Sequence, residues 1–456
     1  MGDQLVGQSS LEELFNRTIV GIGKEVGMDE ISVPILERKD FSPAQHKGRA
    51  IESQGVVYTP QKHLGSGGMG EVWLADRICT ARAGTEDDVR TKVAIKFVRG
   101  MDQDSRLSRA LIKEAKFTAN LQHDNIVEFQ SWEYLPGSGT YFIVMDYVEG
   151  VDLYGLIGLH NLMPDAGTTP YEHLLKPNIT KMNDDVAGFI VFSVANALEY
   201  AHEYVPEDEN GHEGPERVGV IHRDISPGNI LIRLREGSVK LSDFGIAMTA
   251  TDIEGEGGII SGKIPYIAPE ILYRRKVDAR TDLYSLGVVL YEMLTGLRPN
   301  DNYTKTQGIG GMLTLLDQDL KRELVPPHEI VQGIDIIVSE VACKLLENDP
   351  DRRIQSASEL IDAIGAEGIY KSGFGCTKSG LKHYAYLLQH PDNITEKAVR
   401  NLKFFKNDSF CKINMLMNPD EEPDLAEMIP HVIRSKYTLT NYARKKLENG
   451  ENPARV

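Results

Sequence analysis

His222-Arg223-Asp224-Ile225-Ser226-Pro227-Gly228-Asn229, HRDISPGN, runs directly into the apolar triplet Ile230-Leu231-Ile232. It sets an isolated carboxylate and an amide five residues apart, in what reads as a loop built to perform a reaction. Downstream, Leu241 to Gly245, LSDFG, supplies a second carboxylate, Asp243. Asp224, Asn229 and Asp243 then make a carboxylate, an amide and a carboxylate on two loops flanking a short strand pair. Oxygen-only ligands of this kind suit Mg2+ or Mn2+, with substrate phosphates completing the shell. Each of the three alone is also an ordinary turn former; the ordered set is what points to chemistry.

Upstream, Leu64-Gly65-Ser66-Gly67-Gly68-Met69-Gly70-Glu71-Val72 carries the pattern G-x-G-x-x-G-x-V. Dinucleotide-binding proteins share its six-residue core, but there the glycines open a helix, whereas here a strand follows. Glycines let a turn's backbone approach phosphate oxygens and donate N–H groups to them. A plain glycine-rich hairpin would carry the same letters. Val93-Ala94-Ile95-Lys96 then places a lysine in an apolar strand, where burial is costly unless the ammonium is paired. Glu114, on a helical pattern nine residues before His123, is a suitable partner, and the pair would hold the ammonium against the α- and β-phosphates of a nucleotide. A solvated strand-edge lysine is the alternative for this motif taken alone.

Together these residues resemble the eukaryotic-type protein kinases, and GSGGMGEVW and HRDISPGN look most like the bacterial Ser/Thr kinases of that type. The resemblance runs over about residues 58 to 365 and includes Ala268-Pro269-Glu270 and the run from Asp282, DLYSLGVVLYEMLTG. It implies an α+β, bilobal protein-kinase fold, with ATP as phosphate donor and protein substrates, the chain itself among them. Lys96 and Glu114 would position ATP. Met145 would be the gatekeeper, Asp146 to Val148 the hinge holding adenine, Asp152 the ribose ligand, and Val72, Ala94 and Leu231 the walls around the base. Asp224 would accept or orient the substrate hydroxyl proton, while Asn229 and Asp243 hold the metal ions. Asp282 would brace the catalytic loop, and Glu270 would pair with Arg353. A pseudokinase scaffold and a small-molecule kinase of related fold are the alternatives to an active protein Ser/Thr kinase.

The chain departs from the family at Ser226, where Ser/Thr kinases usually place a lysine that touches the transferred phosphate. The usual Gly-Thr before the x-x-Y-x-A-P-E run is here Gly262-Lys263. A reciprocal exchange follows as an expectation: Lys263 reaches the γ-phosphate from the opposite wall and Ser226 supports it, neutralising transition-state charge from a different backbone position. A solvated loop lysine is the bland reading of Lys263. Arg223 beside the catalytic aspartate points to control by activation-loop phosphorylation, with Thr249, Thr251 and Ser261 as candidate sites. Glu254 or Glu256 could supply that negative charge instead.

The 456 residues are enough for two or three domains, and 41% hydrophobic with 26% charged residues is an ordinary globular composition. A net charge of −17 argues against bulk binding to nucleic acid or anionic membrane. Cys79, Cys343, Cys376 and Cys411 show no C-x-x-C spacing, and no apolar stretch approaches the length of a membrane span, which fits a cytoplasmic protein. Short β-branched and aromatic runs at 56–58, 70–74, 93–98 and 141–145 predict a sheet-rich lobe, interrupted by a helix at 110–121. Helical periods at 186–202, 283–295 and 334–347 predict a larger helical lobe. The expected organisation is an N-terminal extension over 1–55, a kinase domain over 56–368 divided at 148, and a helical appendage over 369–456. From 371 onward the charge turns to +4 against −21 for the rest. That basic appendage leaves substrate recruitment, clamping of the lobes, weak nucleic-acid binding and a solvated cap all open.

Overall fold

In strands Gly70–Cys79 (β3) and Val89–Val98 (β4) the residues alternate, and the antiparallel register sorts them. Val72 lies opposite Lys96 and Leu74 opposite Ala94, so all four share one face. The other face takes Trp73, Ala75, Val93, Ile95 and Phe97, which pack with Tyr58, Phe142 and Val144 into a core of their own. Period two therefore separates a packing face from a chemical one.

The computed structural model describes residues 47–48, 50–53, 55–67, 70–79, 89–98, 119–135, 140–157, 180–182, 184–205, 219–244, 264–273, 275–299, 314–315, 318, 321–365, 378, 381–382, 435–436, 440–449 and 453–454. They fall into two compact units, one from residues up to 108 with 130–147, the other from 109–129 with 148 onward.

The first unit is a six-stranded sheet ordered β1-β2-β3-β4-β6-β5, its remaining strands being Ile51–Ser53 (β1), Val56–Gly67 (β2), Phe129–Leu135 (β5) and Thr140–Asp146 (β6). β1 adds to the sheet residues that sequence reading left in the leading segment. β5 was not read as a strand either, because its inward set is Ser131, Glu133 and Leu135, with a carboxylate where the alternation rule wants an apolar residue. Glu133 is 4% exposed and accepts from Ser53 Oγ at 2.7 Å, Ser131 Oγ at 2.7 Å and Tyr58 Oη at 3.2 Å. Those hydroxyls satisfy the buried carboxylate, and the Ser53 bond ties one edge strand of the sheet to the other. Burial, with the Glu133 charge beside it, pushes the Tyr58 phenol up to about 12.

The second unit is helical. Its three-stranded sheet, Gly150–Asp152 (β7), Ile230–Arg233 (β9) and Ser238–Leu241 (β10), is ordered β10-β9-β7 and lies among Leu153–Ile157 (α1), Asp184–His202 (α2), Ala279–Thr295 (α3), Ile336–Leu345 (α4) and Ala357–Gly365 (α5). Asp184 and Asp185 favour the N-terminus of α2 by charge. α3 starts at Asp278, whose side chain accepts from the Arg280 amide, and stops at left-handed Gly296. Its residues from Thr281 to Thr295 are all buried, so α3 is the axis of the unit. Gly287 lets α4 approach: a Cβ there would lie 2.6 Å from Leu345 Cβ. The helices predicted over 186–202, 283–295 and 334–347 are present with ends shifted by up to four residues. The helix predicted at 110–121 lies outside the described residues apart from residues 119–121, as does most of the appendage expected over 369–456.

Described parts of the C-terminal region belong to this same core. Ser435–Lys436 (β11) pairs antiparallel with Thr180–Lys181 (β8). Thr440 caps the helix Asn441–Glu448 (α6), while its own amide and hydroxyl bond the carbonyls of Ile330 and Glu329. Ala443, Leu447 and Ala454 are fully buried in the cluster built on α2 and α3. No helix among the described residues is long and apolar enough to cross a membrane.

Candidate active site

The first unit supplies the residues expected to hold a nucleotide. The β2–β3 register pairs Gly65 with Val72 and Gly67 with Gly70, making the glycine-rich stretch a tight hairpin with a bulge at Leu64. Leu64 is 41% exposed, and a Cβ on Gly65 would meet nothing within 4 Å among the described residues. Ser66 Oγ is 2.8 Å from His63 Nε2. Ala94 pairs with Met145, which brings Met145 onto the face already holding Val72 and Lys96. Lys96 is 7% exposed. Asp146 Oδ1 accepts from Gln130 Nε2 at 2.7 Å, and Gln130 is held in turn by Arg77 at 2.9 Å. Sequence reading did not find Gln130 or Arg77, because neither stands in a motif. Gly68, Met69 and Glu114 lie outside the described residues.

Val148 opens the second unit's stretch of chain, and Asp152 ends β7 opposite Leu231 of β9. Asp152 Oδ1 also accepts from the Gly155 amide at 2.7 Å, so it starts α1.

The loop 222–229 is held by one buried carboxylate. Asp282, on α3 and 0% exposed, accepts from the His222 amide at 2.8 Å, the Arg223 amide at 2.7 Å and His202 Nε2 at 2.7 Å. Burial alone would raise its pKa, but the His202 hydrogen bond and the donors of the loop hold it below the usual carboxylate value. Presenting two consecutive amides to one carboxylate bends the chain, and Arg223 takes a left-handed φ of 63°. For a residue with a Cβ that conformation costs about 1–2 kcal/mol, which the charged hydrogen bonds offset. Asp282 thus braces the catalytic loop as the resemblance implied. His202 was missed: a lone histidine at a helix end carries no sequence signal.

His222 is fully buried with both ring nitrogens engaged. Nε2 donates to the Ser242 carbonyl at 2.9 Å, and Nδ1 accepts from the Asp224 amide at 3.3 Å. Burial lowers its pKa, and the neutral ring is the form this geometry needs. Asn229 Nδ2 donates to the Asp224 carbonyl at 2.7 Å and to Asp224 Oδ2 at 2.8 Å. The five-residue spacing therefore closes the loop on itself and fixes the aspartate's rotamer. Both amide protons are consumed, which leaves Asn229 Oδ1 as the atom free to act as a ligand. Asp243 is half-buried with a left-handed φ of 59°, which aspartate tolerates better than most residues. Ser242, beside it, is bonded through its amide and hydroxyl to the Asn229 carbonyl. Asp224 and Asn229 are thus held by one short network, and Ser242 fastens the residue before Asp243 to it.

Ser226 is 3% exposed, and its hydroxyl makes no cap bond to the turn Pro227–Asn229 that it precedes. Arg223 Nε is buried without a hydrogen-bond partner among the described residues. Lys263, Thr249, Thr251 and Ser261 lie outside the described residues. The predicted pair Glu270–Arg353 forms with two bonds of 2.7 Å, both side chains buried, and Thr281 Oγ1 adds a third at 2.8 Å.

A family model described as a protein kinase domain matches residues 58–363. The tyrosine-protein kinase MasK of Myxococcus xanthus is 29% identical over 67% of this chain and 42% of its own length. A probable serine/threonine-protein kinase of Clostridium perfringens is 34% identical over 59% of this chain and 33% of its own. The serine/threonine-protein kinase PknB of Mycobacterium leprae is 31% identical over 65% and 40%. The chain thus spans less than half the length of these three relatives. With the family's sequence model matched over two-thirds of its length, and with its motifs standing on the sheet face and the braced loop described above, the chain belongs to the protein kinase family.

Proposed function

We propose that the chain is a protein serine/threonine kinase that transfers the γ-phosphate of ATP to hydroxyls of protein substrates. The observation that carries this reading is the Asp224–Asn229 closure: the general-base candidate is held by an amide whose remaining oxygen faces a ligand role. Asn229 Oδ1 and Asp243 are oxygen donors of the kind Mg2+ or Mn2+ takes, and they are the residues that would hold it. A bound ion would neutralise charge on the phosphates. Asp224 would take or orient the acceptor hydroxyl's proton; Lys96, Gly65, Ser66, Gly67 and Gly70 would bind the phosphates, and Met145, Asp146 and Val148 would line the adenine. Asp152, already committed to starting α1, would meet the ribose.

Two further readings belong to this proposal. The orphan Arg223 Nε supports pairing with a phosphate on Thr249, Thr251 or Ser261. The Ser226 hydroxyl, which makes no cap bond to the turn that follows it, is the group the exchange with Lys263 would use, and Lys263→Ala should then cost at least tenfold in kcat; a near-wild-type kcat rejects the exchange.

Serine/threonine specificity rests on Pro227 and on the lack of an arginine between Ile225 and Asn229, while the relative MasK bears a tyrosine-kinase name. The test is transfer of labelled phosphate from ATP to casein and to the chain itself, followed by phosphoamino-acid analysis, with Asp224→Asn as control. Label on serine or threonine, lost in the variant, is expected. ATP-binding protein that transfers nothing would favour a scaffold, and label confined to a small molecule would favour the other alternative.

A further inference from the structure

Tyr154 lies on α1, two residues after Asp152, with its ring against the catalytic loop: a Cβ on Gly228 would sit 3.6 Å from Tyr154 Cε2. Its hydroxyl is 2.8 Å from the hydroxyl of Tyr266, which stands in the turn Ile264–Tyr266 leading into Ala268-Pro269-Glu270. Tyr266 Oη in turn donates to Glu292 Oε2 at 2.6 Å, on the buried axis helix α3. Glu292 is 4% exposed and faces the Arg298 guanidinium at 3.6 Å.

The chain of bonds has a direction. A phenol has one proton, and Tyr266 spends its own on a carboxylate, which can only accept. Tyr266 Oη must therefore accept the hydrogen bond that Tyr154 Oη donates, giving the order Tyr154 to Tyr266 to Glu292. Burial first, and the Glu292 charge second, push Tyr154 up to about 12 and Tyr266 well above the usual phenol value, so both keep their protons at neutral pH. The Tyr266 carbonyl is fixed as well, by Ser285 Oγ at 2.7 Å.

We infer that Tyr154 is a positioning residue for the protein substrate: its hydroxyl fixes the Ile264–Tyr266 turn, the described end of the segment between LSDFG and A-P-E, at a set distance from the loop that holds Asp224. The inference rests on the protein-kinase reading. Tyr154, Tyr266 and Glu292 all stand in the helical unit, and the effect is expected on the acceptor side.

The experiment is steady-state kinetics of full-length Tyr154→Phe with casein and ATP varied separately, beside a thermal unfolding curve. Removing one hydroxyl should raise KM for casein about fivefold, the scale of one lost hydrogen bond. The expected kcat and KM for ATP stay within about twofold of wild type, and the unfolding midpoint stays within a few degrees. An unchanged KM for casein overturns the inference, as does a rise matched by KM for ATP and a fall in the midpoint, which would mark a merely structural tyrosine. If the wild-type chain itself leaves casein unlabelled, the kinase reading falls and the inference with it, a result distinct from the other two.

Discussion

The glycine-rich hairpin and the loop 222–229 are both proposed to serve phosphate chemistry, and they are built on opposite principles. The hairpin is held by backbone ladder bonds between β2 and β3, with Leu64, Ser66 and the Gly65 backbone left open. The catalytic loop is held by buried side chains: Asp282 gathers two loop amides, His222 joins the Asp224 amide to the Ser242 carbonyl, and Asn229 closes on Asp224. A ladder fixes the path of a chain while leaving its surface adaptable. A side-chain network fixes individual atoms. The difference fits the two tasks, since phosphate oxygens can be met by any of several N–H groups, whereas one carboxylate must meet one hydroxyl proton.

Breaking the brace should give the largest effect. In Asp282→Asn one oxygen becomes an NH2 group pointed at donors, so at least one of the His202, His222 and Arg223 bonds is lost in a fully buried site. A cost of about 3–5 kcal/mol is expected, read as a fall in the unfolding midpoint of several degrees together with at least a hundredfold loss of kcat. A variant that keeps its kcat would mean that the loop does not need the brace.

How much of this was legible differs between the two regions for the same physical reason. The hairpin itself could be read from local sequence, because glycines and an alternating strand carry it within nine residues. Asp224, Asn229 and Asp243 were legible from their order along the chain. The partners that fix them were less so: Asp282 came only through the family resemblance, and His202 not at all, since it lies 80 residues from the aspartate it meets. β5 stayed hidden because its buried Glu133 is solvated by hydroxyls from β1 and β2, contacts no local pattern announces. Glu292 was read only as part of a helix and Tyr154 was not singled out, and the chain that joins them through Tyr266 exists only in three dimensions.

Acid should destabilise the unit that carries the catalytic loop, by a smaller amount than breaking the brace. His222 is neutral in the folded chain and its pKa is lowered by burial, so the unfolded chain binds a proton first as pH falls. Stability is therefore full above the unfolded value of about 6.5 and declines as pH drops below it. His123, also lowered chiefly by burial, adds in the same direction. The midpoint of unfolding measured from pH 8 to pH 5 should fall below about pH 6.5, and His222→Gln should flatten that fall without abolishing it. A slope unchanged in the variant would place the acid sensitivity elsewhere.

The smallest effect is expected at the hairpin, where it bears most directly on the comparison. Ser66 is exposed and, among the described residues, its hydroxyl meets His63 Nε2. Ser66→Ala removes that bond and leaves every ladder bond of β2 and β3 in place. Exposed substitutions of this kind stay within about 0.5 kcal/mol, so the unfolding midpoint should not move and KM for ATP should change by no more than about threefold. The kcat should stay at the wild-type value, because no atom of the Asp282 network is displaced. A tenfold loss of kcat in Ser66→Ala would show that the hairpin, too, depends on one fixed side-chain atom, and the division between an adaptable ladder and a fixed network would fail at its softer end.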